Sequence, residues 1–150
     1  NLTRSLMGEI AESPLLAAAE LHVAPASPGK ADRLAPFLGH DRAVLYLNLR
    51  EAEILAGRTF RSTAEAAAVL HEQGAAGVCV TDGGKPASVA AATGLVSACP
   101  PEVPLARVTG AGDTFMAAHL AAGLSGACPE EALELAILTA AAHVSGDLQT

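Results

Sequence analysis

The chain has 150 residues, about one ordinary domain, which is enough to bury a real core. Apolar residues make up 51% and aromatics only 3%, so Ala, Leu and Val must build that core and few rings are left for stacking on bases. Net charge is −7, from 16 acids against 9 Lys and Arg with no basic block, and this excludes nucleic acid as the expected partner.

Taken in chain order, residues 3–20 read as a helix, with Leu6, Ile10, Leu15, Leu16 and Ala19 in an apolar stripe interrupted near Pro14. Residues 21–24 are a short strand candidate, broken by "PASPG" at 25–29, and Lys30 to Leu38 suggest another short helix. "AVLYLN" (43–48) is the clearest strand, and "REAEILAG" (50–57) turns helical and stops at a glycine. "STAEAAAVLHEQG" (62–74) carries a capping box, Ser62 with Glu65. "AGVCVT" (76–81) reads as a buried strand, "DGGKP" (82–86) as a turn, and "ASVAA" and "GLVSA" as short strands around Thr93-Gly94. "PPEVP" (100–104) is a stiff connector. A helix is predicted from about Gly112 to Gly123, and a last one over 129–144, opened by Pro129 and two acids.

Strands alternating with helices predict an α/β domain over 1–150 with a mainly parallel sheet, whose ligands sit beyond the carboxyl ends of the strands. Three polar clusters fall at strand ends: Asn48 to Glu51, Thr81 to Lys85, and Thr109 to Asp113. In the last, "TGAGD" places small residues before a helix start, whose unpaired amides and dipole suit an anion. Asp113 then reads as a helix cap or as a base beside a bound phosphate. A Rossmann fingerprint fails because Phe115 stands where a small residue is needed, and "GGKP" lacks the Ser or Thr of a phosphate loop.

The three cysteines, Cys79, Cys99 and Cys128, show no CxxC spacing and read as core thiols of a reducing cytosol. The five histidines lack HxxxH or HxH spacing, which gives zinc little support. No apolar run is long enough to span a bilayer, so a cytoplasmic protein without a membrane partner is expected. The opening "NLTRSLMGEIAES" has no signal-peptide core and no initiator Met, so the chain reads as starting inside a longer one.

Together, "VTGAGDTFMAAHLAAGL", "NLRE" (48–51) and "VTDGG" (80–84) resemble, in order and separation, the carboxy-terminal half of the ribokinase-like, or PfkB-type, carbohydrate kinases. The resemblance implies a three-layer α/β/α fold and transfer of the ATP γ-phosphoryl group to a hydroxyl of a sugar or nucleoside. It also implies Asp113 as the catalytic base and the amides of Gly110, Ala111 and Gly112, with that of Asp113, as the anion hole. Asn48 and Glu51 would act on Mg²⁺ through its waters, and Thr81, Gly83, Thr109 and His143 would lie along the nucleotide. The plainer readings are a helix cap for Asn48 and Glu51, a common glycine turn for Gly83, a half-buried histidine for His143 and a solvated turn residue for Lys85.

A narrower resemblance is to pseudouridine kinases: Pro25, Ser27, Lys30, Ala31, Asn48, Glu51, Ala52 and Glu53 keep their pattern, while Ala24 stands where they carry an acid. Arg107 replaces an acid that helps many family members ligate a monovalent cation, so a strong potassium requirement is not expected. The family's amino-terminal half, with its double-Gly motif and β-sheet lid, has no counterpart in these residues. The expectation is therefore either part of a longer kinase, with a homodimer through that missing lid, or a non-catalytic nucleotide-binding remnant.

Overall fold

The structure, a computed structural model, describes residues 2–147. Thr3 caps the first helix, α1 (Arg4–Ala11), its hydroxyl accepting from Leu6 N at 3.3 Å. The helix expected over 3–20 divides at Pro14. Ser13 before the proline is extended, and only a 3₁₀ turn, Pro14–Leu16, follows, because the proline ring disfavours helical backbone in its predecessor. After β1 (Leu21–Val23) a 3₁₀ segment, Pro28–Phe37, replaces the short helix expected from Lys30. Pro36 within it lacks the amide that an α-helical ladder needs.

The remaining elements follow the sequence pattern closely. They are β2 (Ala43–Asn48), α2 (Leu49–Ala56), α3 (Thr63–Glu72), β3 (Gly77–Asp82), β4 (Lys85–Ala91), β5 (Gly94–Ala98), α4 (Ala111–Leu124) and α5 (Pro129–Ser145). The sheet has the order β1-β2-β3-β4-β5. Its first three strands are parallel, and the two hairpins that follow make β4 and β5 antiparallel, so the sheet is mixed.

Side chains alternate across the pleat and give the sheet two apolar faces. Leu45, Leu47, Val78 and Val80 meet Leu34, Phe37, Phe60, Ala67 and Leu70 on one side. Tyr46, Cys79, Ala87 and Val89 meet Phe115, Leu133, Ala136 and Ile137 on the other. Helices thus cover both faces, the three-layer α/β/α architecture. All 3 phenylalanines and the 1 tyrosine are buried, so the few rings available all go into the core. Each such burial is worth roughly 1.5–3 kcal/mol. Between them Ala52, Ala66, Ala67 and Ala136, each 0% exposed, fill the gaps where helix and sheet approach.

Two sequence expectations are corrected here. Only Cys79 is a core thiol; Cys99 and Cys128 are exposed. The Ser62 capping box forms only halfway. Ser62 Oγ accepts from Glu65 N at 3.1 Å. The Glu65 carboxylate turns instead to Arg61 N at 2.8 Å and the Arg58 guanidinium at 3.0 Å, the charged donor winning over the cap amide.

Candidate active site

Parallel strands end on the same edge of a sheet, and here β1, β2 and β3 deliver Ala24, Asn48 and Thr81 to one place. A cleft of about 140 Å³ opens there, against the first turn of α4. Its walls are Ala24, Pro25, Tyr46, Leu47, Asn48, Glu51, Cys79, Thr81, Gly112, Asp113 and Phe115. Of the residues singled out in the sequence, the structure therefore brings Asn48, Glu51, Thr81, Gly112 and Asp113 together. Gly83, Thr109, Gly110, Ala111 and His143 are not among the lining residues. A larger groove, about 420 Å³, lies between the end of α4 and the start of α5, but apart from Leu135 and Glu131 only small residues line it, and Glu131 is its one charged group.

The start of α4 is built around Gly110. This residue is the N-cap with φ +89°, a left-handed backbone that glycine adopts without steric cost. A Cβ there would lie 3.2 Å from His143 Nε2. Because the cap has no side chain, the helix start is not closed by one, and Asp113 makes no side-chain hydrogen bond among the described residues. The plain capping role for Asp113 is thus not the one it plays. Thr114 N donates to Gly110 O at 2.9 Å, and Ala111 N donates to Val108 O at 3.2 Å, which takes that amide out of the expected anion hole. The amides of Gly112 and Asp113 have no partner among the described residues, and both residues line the cleft. They carry the positive end of the helix dipole.

The loop before α4 hangs from the last turn of α5. Ala106 N and Arg107 N both donate to Val144 O at 2.9 Å, using a carbonyl that a helix end leaves unpaired. His143 Nε2 donates to Thr109 O, also at 2.9 Å. His143 and Thr109, expected along the nucleotide, are thereby joined to each other and shape the glycine turn. Arg107 is exposed.

Asn48 and Glu51 form a full reciprocal capping box at the start of α2. Asn48 Oδ1 accepts from Glu51 N, and Glu51 Oε2 accepts from Asn48 N, both at 2.9 Å. The helix-cap reading is therefore correct for both. The acid is more than an exposed cap residue: Glu51 is 8% exposed and faces the cleft. Burial pushes its carboxyl above the ordinary range, and the hydrogen bonds with Asn48 pull it partly back. Its Oε1 has no protein partner among the described residues. One buried carboxylate with a free oxygen, held in place by its cap, suits a hydrated, oxygen-seeking cation such as Mg²⁺.

Thr81 sits beside Asn48 in the register of β2 and β3. Gly83, at φ +58°, makes the tight turn into β4, where Lys85 Nζ pairs with Asp82 Oδ2 at 2.8 Å, the solvated turn role expected of that lysine. Sequence reasoning missed Tyr46, a cleft residue bonded to two histidines, because nothing local in "VLYLN" marks it.

Residues 22–147 match the sequence model of the pfkB family carbohydrate kinase. Among solved structures, the carbohydrate kinase from Agrobacterium tumefaciens is similar with a TM-score of 0.80 and 28% identity, over 99% of this chain and 47% of that one. Phosphofructokinase-2 from Escherichia coli gives 0.81 and 18% identity, over 96% and 47%. The adenosine kinase from Sinorhizobium meliloti gives 0.75 and 19%, over 93% and 43%; at such identities the likeness is one of fold. The chain thus spans about half the length of these structures, and no curated protein matches its sequence.

Proposed function

The chain belongs to the pfkB family of carbohydrate kinases, and from that premise we propose that residues 1–150 form the nucleotide-binding and catalytic part of an ATP-dependent phosphotransferase. Its reaction moves the γ-phosphoryl group to a hydroxyl of a sugar or nucleoside. One observation carries the reading. Asp113, an acid with no hydrogen-bond partner among the described residues, shares a cleft with two helix-start amides that are likewise unpaired among them and with a buried, cap-locked carboxylate.

Each part has a task in phosphoryl transfer, where positioning and charge stabilisation do most of the work. Asp113 takes the proton from the attacking hydroxyl, a contribution of ~10²–10⁴-fold in rate. The amides of Gly112 and Asp113 hold the negative charge of the transferring group. Being fixed by the turn at Gly110, they need no reorganisation at the moment of reaction. Glu51 would hold Mg²⁺, and Asn48 holds Glu51 in place; the ion, when bound, would neutralise phosphate charge. Thr81 lies along the nucleotide. His143 acts indirectly, by fixing the Thr109 carbonyl.

Pseudouridine is the acceptor we propose first, on the pattern of Pro25, Ser27, Lys30, Ala31, Asn48, Glu51, Ala52 and Glu53. Pro25 reaches the cleft, and so does Ala24, the position where that pattern carries an acid. Ribose, fructose and other nucleosides are the alternatives within the same chemistry. The test is incubation with MgATP and a mixture of pseudouridine, common nucleosides and sugars, with mass spectrometry for new phosphate esters. A pseudouridine monophosphate signal is expected. A different ester would overturn the acceptor, and no ester from this chain or from a longer form would overturn the kinase reading.

A further inference from the structure

Four polar side chains form a chain beside the cleft that no step above uses. Glu20 Oε1 lies 2.8 Å from His22 Nε2. His22 Nδ1 lies 3.2 Å from the Tyr46 hydroxyl, and that hydroxyl lies 3.0 Å from His119 Nδ1. The chain ties β1 to β2 and β2 to α4. Its centre is nearly closed to solvent, with Tyr46 5% exposed. His119 also lies flat against Phe115, one turn closer to Asp113, with ring centroids 6.0 Å apart and planes 8° apart. Tyr46, Phe115 and Asp113 all line the cleft.

The hydrogen inventory gives this chain a direction. A carboxylate only accepts, so His22 Nε2 carries the hydrogen that faces Glu20. In a neutral His22 the Nδ1 is then bare, and it accepts from the Tyr46 O–H. Tyr46 has a single hydrogen, so its oxygen must accept from His119. His119 therefore carries its hydrogen on Nδ1 and leaves Nε2 bare. One added proton, on His22, reverses the order: His22 then donates from both nitrogens and Tyr46 turns its O–H to His119. A second added proton would leave the Tyr46 O–H without a partner in a nearly closed site, a costly state. The titratable groups facing this hydroxyl are Glu20, His22, His119 and, across the sheet register, Cys79, with Asp113 and Glu51 along the same cleft. Burial first, then Cys79 and Glu20, push the phenol well above its ordinary range, so Tyr46 keeps its hydrogen. Burial holds His119 below the ordinary imidazole range, and a positively charged His22 would lower it further.

We propose that Tyr46 is a positioning residue. Through the directional chain Glu20–His22–Tyr46–His119 it holds His119 as the Nδ1–H tautomer and sets α4, with Phe115 and Asp113, against β2. The consequence for catalysis rests on the reading of Asp113 as base; the direction of the chain does not.

Nitrogen-15 NMR of the protein with labelled histidine tests the direction at neutral pH. His119 is expected with hydrogen on Nδ1 and His22 with hydrogen on Nε2. His119 found in the Nε2–H form would overturn the proposal, whether or not the protein is a kinase. Tyr46→Phe keeps the ring and removes the hydroxyl. It should release His119 to the Nε2–H form and speed amide exchange at Phe115 and Met116 by about fivefold, the effect of one ordinary hydrogen bond, with α5 unchanged. Unchanged exchange in α4 would overturn the positioning role. Should that variant fail to fold, His119→Asn, which retains a donor near Nδ1, is expected to keep the parent's exchange in α4, whereas His119→Ala loses it; equal behaviour of the two would again overturn it. In the kinase assay, Tyr46→Phe should lower kcat with little change in the KM for MgATP. A parent without turnover would defeat the kinase reading alone, since the NMR and exchange measurements decide the chain by themselves.

Discussion

Gly110 and Asp113 stand three positions apart and need different things from the backbone. Gly110 must reach φ +89°, and a Cβ there meets His143 Nε2 at 3.2 Å. Gly110→Ala should therefore cost on the order of 1–2 kcal/mol, the penalty of a left-handed L-residue, and lower Tm by a few degrees in a thermal melt. Because the His143 contact with Thr109 O shapes the same turn, turnover should fall further than the stability loss explains. Asp113 is the converse case. It caps nothing, so Asp113→Asn should leave Tm and MgATP affinity nearly unchanged while turnover falls by ~10²–10⁴-fold. Calorimetric titration with MgATP beside steady-state rates separates the two effects, and an active Asp113→Asn protein would remove the assignment of Asp113 as base. Both residues were legible because their chemistry is local: a glycine turn, a helix start and an acid within four positions. The Tyr46 contacts were not. His22 and Tyr46 lie 24 residues apart, and Tyr46 and His119 lie 73 apart, so each reads alone as an ordinary core or surface residue.

Short elements succeeded or failed as sequence signals according to whether their stop and start residues had competitors. "NLRE" and "STAE" both offer the pattern of a reciprocal cap. At α2 the two bonds close at 2.9 Å, and no other donor among the described residues competes for the Glu51 carboxylate. At α3 the carboxylate of Glu65 has an arginine within reach and leaves the box half made. Asn48→Ala should consequently cost about 1 kcal/mol or somewhat more, at the upper side of cap losses, because the bond it removes, from Glu51 N to Asn48 Oδ1, is part-buried and its loss leaves that amide without an acceptor, while the Asn48 N–H still holds the carboxylate. Ser62→Ala should cost about 1 kcal/mol or less, since the bond lost there is exposed and water can replace the acceptor. Urea unfolding of the two variants side by side checks the order, and a larger loss at Ser62 would contradict it. The strands β2 and β3 were legible from unbroken apolar runs that the sheet buries on both faces, and the turns at Gly83 and Gly94 from their glycines. The division of 3–20 at Pro14 and the 3₁₀ course of 28–37 depended on how strongly one proline acts against an apolar stripe that favours helix. An apolar stripe records which side faces the core; it does not record the helix type.

Across the whole molecule, a buried acid and a half-buried histidine have opposite pH behaviour. Glu51 is raised above its ordinary 4.5, chiefly by burial. In the interval between 4.5 and the raised value, the folded protein keeps a proton that the unfolded chain has released. Stability therefore falls as pH rises through that interval and stays at the lower level above it. His119 is lowered below its ordinary 6.5, first by burial and then by His22. Here the unfolded chain takes up the proton first as pH drops, so stability is lost as pH falls from 6.5 through the lowered value. Glu51→Gln isolates the first effect, because glutamine still offers an oxygen to Asn48 N yet carries no charge. Thermal melts from about pH 4 to about pH 8 should show Glu51→Gln gaining on the parent as pH rises and holding that gain at neutrality. The same variant should lose turnover if the carboxylate holds the hydrated cation, and the MgATP concentration needed for half-maximal rate should rise. A gain in stability joined to a loss of turnover would mark Glu51 as a charge kept at a cost to the fold for the sake of the site. Parallel melting curves for parent and variant would mean that the charge carries no such cost, and the burial argument for Glu51 would fail.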